Sequence, residues 1–169
     1  MRKLALPLIL LLFLAASLSG QSSEWKTYKN TDGNFQVLFP GAPTDSENPG
    51  SEAVRSHTLI AKQNSGAYTV VYAAMSSDQA VDEANFQAYK NGVLQELAGC
   101  SVDKETPALP AVRSYVGRYY RLACEKIYIV GNLYWGKRYA YAVMAMFPNG
   151  TPESADIRRF LDSFSVLNP

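Results

Sequence analysis

The first residue to weigh for chemistry is His57, the single histidine in 169 residues. An imidazole acts as a general base when a nucleophile and an orienting carboxylate meet it in space. His57 lies between Arg55-Ser56 and Thr58-Leu59, at the entry to an extended stretch, and no Gly-x-Ser-x-Gly elbow presents a serine. A small hydrolase-like enzyme using His57 is therefore the alternative reading, not the leading one. One histidine and two separated cysteines do not make a zinc ligand set. The carboxylates Asp82 and Glu83 suit the positive end of a helix better than a metal or glycosidase pair. With no glycine-rich phosphate cradle and no dinucleotide fingerprint, the sequence calls for neither metal nor cofactor.

Cys100 and Cys124 are the only thiols. In an oxidising compartment an even count points to a bridge, and closing a loop of about 25 residues stabilises by roughly 3 kcal/mol. The other arrangement is two buried thiols packed as small apolar groups.

A third feature is compositional. From Arg113 to Arg138 the chain carries six cations, including Arg118, Lys137 and Arg138, against Glu125 alone. Tyr115, Tyr119, Tyr120, Tyr128, Tyr134 and Trp135 interleave with them. On one surface, centred on Trp135, Lys137 and Arg138 with Arg118 and Tyr134, these groups would bind a protein partner or an anionic component of the cell envelope. A sheet also permits rings inward and charges outward, which is the commoner arrangement.

The elements that must position these groups are mostly strands. Residues 118–147 are rich in aromatic and β-branched side chains and predict two or three antiparallel strands, with Gly131-Asn132 and Gly136-Lys137 as turns. Both faces of 139–147 are apolar, as in a covered central strand. Asn30 to Asn34 joins a hairpin of residues 25–28 and 35–39, and residues 58–62 pair with 67–75. The polar run from Thr44 to Ser56 predicts an exposed loop. Phe86, Tyr89, Val93 and Leu97 recur at helical spacing, with Asp78 or Asp82 as cap and Gly99 beyond the end. After Pro152, Ile157, Phe160, Leu161 and Phe164 form the stripe of a second helix.

Residues 1–20 read as a signal peptide: Arg2 and Lys3, an apolar Leu4 to Ala16, then Ser17, Ser19 and Gly20. The apolar run falls short of the ~20 residues of a membrane span, so no stable membrane insertion is expected after cleavage. Removing 20 of 169 residues leaves 149, suited to one domain over 21–169, and turns a formal charge of +1 into −1. A near-neutral mature chain disfavours nucleic acid as partner.

Three short stretches resemble the PsbP-like domain family. Residues 35–43, Phe-Gln-Val-Leu-Phe-Pro-Gly-Ala-Pro, are similar to its opening strand; Gly117-Arg118-Tyr119-Tyr120 to a mid-chain strand; and 159–164 to its closing helix. The resemblance spans about residues 25–167 and implies an α+β fold, an antiparallel sheet of about six strands sandwiched by helices. It transfers no catalytic residue. The expectation is an exported, periplasmic or extracellular, non-enzymatic binding or assembly module. A purely structural subunit of an envelope complex is a further alternative.

Overall fold

The computed structural model describes residues 24–48, 54–63, 66–97, 99–148 and 154–168. The signal-peptide segment, its cleavage site and Pro152 lie outside them. The fold is α+β: two antiparallel sheets and two helices.

The larger sheet has seven strands. In spatial order they are β3 (Thr44–Asn48), β4 (Val54–Gln63), β5 (Gly66–Met75), β9 (Tyr139–Pro148), β8 (Ile127–Trp135), β7 (Val116–Ala123) and β6 (Ser101–Pro107). The smaller sheet holds β1 (Trp25–Asn30), β2 (Phe35–Pro40) and the short β10 (Ser165–Val166). The strands thus exceed the expected six. The excess includes β3, in a segment expected to be a loop. Its residues Thr-Asp-Ser-Glu-Asn have no apolar alternation, because an edge strand is held by its ladder to β4 while its side chains stay in water.

One face of the large sheet is covered by α1 (Glu83–Glu96). Asp82 caps it, accepting from the Asn85 amide at 2.8 Å, and Gly99 beyond its end has φ +90°. Phe86 is fully buried against Tyr120, Leu122, Ile129 and Leu133. Tyr89, Val93, Leu94 and Leu97 pack around that cluster half-buried. The opposite face is covered by the small sheet and by α2 (Ala155–Asp162), whose N-cap Ser154 accepts from Ile157 N at 3.2 Å. Phe35, Phe39, Tyr68, Tyr141, Phe160 and Phe164 form the larger core there. Strand alternation sorts the two cores: Tyr141, Val143 and Ala145 face α2, whereas Ala142 and Met144 face α1.

Gly131-Asn132 is not a turn. Both lie inside β8, opposite Tyr120 and Tyr119 of β7. A Cβ on Gly131 would collide with the backbone carbonyl of Val143, so this glycine permits close approach of β9. The reversals fall at residues 124–126 and 136–138.

Candidate functional site

The residues expected to form a basic and aromatic surface are placed in three different settings. Trp135, Lys137 and Arg138 come together at the β8–β9 tip, but they engage the segment that follows β5. The Trp135 indole donates to Ala80 O at 2.9 Å and its ring packs on Tyr89, centroids 5.6 Å apart. Lys137 Nζ lies 2.7 Å and Arg138 Nη1 3.4 Å from the Asp78 carboxylate. Two main-chain bonds complete the latch, Met75 N to Arg138 O and Gln79 N to Lys137 O. A Cβ on Gly136 would collide with the Tyr115 ring, which fixes glycine at this tip.

The latch makes its own predictions. The Asp78 carboxyl is held below the usual carboxylate range, first by its hydrogen bond to Lys137 and then by Arg138. A depressed folded-state value stabilises above the unfolded value and is lost as pH falls through the folded one. Side-chain NMR should therefore find Asp78 titrating below an unpaired aspartate, with the Trp135 indole proton shifting over the same acid range. Trp135→Ala, which removes a half-buried ring and its hydrogen bond, should lower unfolding free energy by about 2 kcal/mol in a urea melt.

Arg118 lies elsewhere, on the α1 face of β7. It pairs with Glu83 at 3.0 Å and sits over the Phe86 ring at 5.7 Å, securing the start of α1. Tyr134 does not belong to a surface at all. It is fully buried beside Phe164, because β8 turns its even-numbered residues toward the larger core. Its hydroxyl donates to Pro110 O at 2.8 Å, and burial raises its pKa, which keeps the phenol a donor.

Cys100 and Cys124 form a disulfide. Both thiols are consumed by it, so neither is a nucleophile. His57 has an orienting carboxylate that the sequence did not reveal: its Nδ1 lies 3.1 Å from Asp45 Oδ1 across the β3–β4 pair. Its ring stacks on Tyr72, with centroids 5.1 Å apart and planes 3° apart. Among the described residues no group of three or more His, Cys, Asp or Glu side chains is arranged to hold a metal ion.

A concavity of ligand size lies elsewhere again. A cleft of about 380 Å³ opens between α2 and the β6–β7 pair. Its walls are Lys104 and Thr106 of β6, Tyr119 of β7, Pro107 and Leu109, and on α2 Ile157, Arg158, Leu161 and Asp162. Ligand sites are typically ~300–1,000 Å³ and combine an apolar lining with a few polar groups. The helix contributes two adjacent ridges at i, i+4 spacing, Ile157 with Leu161 and Arg158 with Asp162.

The rim of this cleft is built with care. Leu109 is 71% exposed, well above the other exposed large apolar side chains among the described residues. Its loop is nonetheless fixed from beneath. Asn132, fully buried in β8, donates from Nδ2 to Leu109 O at 2.8 Å, and Tyr134 holds the next carbonyl. Asn132 Oδ1 is buried without a hydrogen-bond partner, a cost of about 1–3 kcal/mol that a leucine there would avoid. Two core polar side chains thus hold a loop that presents a leucine to water.

Compared with known proteins, the chain matches no family model, no curated protein and no solved structure. No helix among the described residues is long and apolar enough to cross a membrane.

Proposed function

We propose that this chain is an exported, non-enzymatic binding module of the cell envelope and that the Leu109-rimmed cleft is its binding site. The observation that carries the reading is the rigid display of Leu109 by Asn132 and Tyr134 at the mouth of a ligand-sized cleft. A loop already held in place at a cleft mouth can be covered by a ligand with little ordering cost, which is what supports the reading. Export is supported by the leader pattern of residues 1–20 and agrees with the disulfide. Membership of the PsbP-like family is supported by the three sequence stretches, together with an antiparallel sheet covered on both faces.

The test is retention of an envelope component. Immobilised mature protein and its Leu109→Asp variant are exposed to the same envelope extract. The wild type should retain a component that the variant loses, while both melt alike in urea, because Leu109 contributes little to the core. Equal retention by the two proteins would refute the cleft as the site.

A second reading rests on one observation, the Asp45–His57 contact, which orients an imidazole as a hydrolase would. Ester or amide hydrolysis abolished by His57→Ala would support it.

A further inference from the structure

We infer that the β3 edge of the large sheet takes an extended, basic segment of a partner protein as an eighth strand. This site stands apart from the cleft, because β3 and β6 are opposite edges of the same sheet. An edge strand offers unpaired main-chain N–H and C=O groups to an incoming chain, and folds guard such edges with bulges, lysines, proline or short length. Of the four sheet edges among the described residues, three are guarded in those ways. The register of β6 slips between Val102 and Lys104, and the strand ends on Pro107. β1 carries Lys26 and Lys29, and β10 is two residues long. β3 has neither lysine nor proline, and its register with β4 is unbroken from Thr44 to Asn48.

Charge selects the occupant. Glu47 stands opposite His57, and His57 opposite Tyr72, so Asp45 and Glu47 share the face of the large sheet that the small sheet covers. The Asp45 carboxylate meets the His57 imidazole, but the Glu47 side chain has no ion pair or hydrogen bond among the described residues. Asp32, from the β1–β2 turn, adds to the same field. Burial first, then Asp45 and Asp32, raise the Tyr28 phenol, so both carboxylates look onto that ring. Arg55 is the permanent cation that β4 contributes to this face. Three carboxylates thus outnumber Arg55 and His57 even when the imidazole is protonated.

A second copy of this chain does not fit the edge. Two β3 strands paired antiparallel about Ser46 would set Asp45 against Glu47 twice, and like charges directly opposite destabilise. A strand with lysine or arginine at positions i and i+2 does fit, since alternation brings both cations to the Asp45–Glu47 face. On its other face it meets Thr44, Ser46 and Asn48, all uncharged.

The probe is the capped peptide Ser-Lys-Thr-Lys-Thr-Ser, titrated into ¹⁵N-labelled mature protein, with Ser-Glu-Thr-Glu-Thr-Ser as its acidic counterpart. The lysine peptide should shift the amides of 44–48 and slow exchange of those that point outward, and the acidic peptide should not. Glu47→Lys, at an exposed and unpaired side chain, should weaken the lysine peptide about tenfold with an unchanged urea melt. Successive amides of a strand point to opposite edges, so N-methylation of at least one alternate set of peptide amides should abolish binding. Full binding by both N-methylated forms would show a purely ionic contact and overturn the added strand. No shift at 44–48, equal shifts with both peptides, or full binding by Glu47→Lys overturns the inference. Leu109→Asp should leave the lysine peptide unaffected, so failure here and failure of the cleft are read separately.

Discussion

Replacing Phe86 by alanine is expected to lower the unfolding free energy by about 3–5 kcal/mol, the range for deleting a fully buried aromatic ring. Phe86 is the one fully buried residue of α1, and it occupies the centre of the cluster between helix and sheet. No other side chain of that helix reaches the same depth. A cavity of only about 10 Å³ borders Val93, Leu94 and Leu97, so no sizeable void lies toward the helix C-terminus. Leu97→Ala should cost only about 1–2 kcal/mol, less than its place in the stripe suggests, because it is half-buried and caps the helix end. Urea melts of the two variants check the ranking. Equal losses would mean that the helix is anchored along its whole length and not at its first turn.

Removing the disulfide is expected to cost about 3 kcal/mol, the chain-entropy value for a bridge spanning 24 residues. The effect should be local as well as global. The bridge stands beside the Ser101–Ala123 pair, where β6 begins its ladder on β7. All residues of β6 but Thr106 are exposed, so little apolar burial holds this edge strand. Its other side-chain ties are polar: Asp103 to Arg121, and Glu105 to Tyr120 at 2.9 Å. In a Cys100→Ser, Cys124→Ser double variant, β6 amides should exchange faster than those of β8, and the Lys104–Thr106 wall of the cleft should loosen. Peptide mapping without reductant should recover the linked pair. Full labelling of both thiols in native protein would contradict the bridge.

How much of this was legible in advance differs from element to element. The helix stripe Phe86, Tyr89, Val93 and Leu97 and the cap Asp82 were readable, since local periodicity and capping chemistry carry them. The alternation of β9 was readable for the same reason. Strand β3 was not, because main-chain bonding to a neighbour leaves no trace in side-chain pattern. Gly131-Asn132 reads as a turn, since sequence shows the freedom of glycine but not the carbonyl of Val143 that demands it. The basic and aromatic run misleads for a third reason. Alternation splits it between two faces, so Arg118 and Trp135 join α1 while Tyr119 and Tyr134 join the α2 side. The cleft assembles residues about fifty positions apart, Lys104 to Leu109 and Ile157 to Asp162, and no local signal links them.

The most direct test of the cleft is hydrogen exchange read by mass spectrometry on the mature protein, with and without envelope extract. Binding at the proposed site predicts added protection confined to residues 104–109, 119 and 157–162, absent in Leu109→Asp. Protection centred instead on the β8–β9 tip around Trp135, Lys137 and Arg138, with the cleft unchanged, would contradict it.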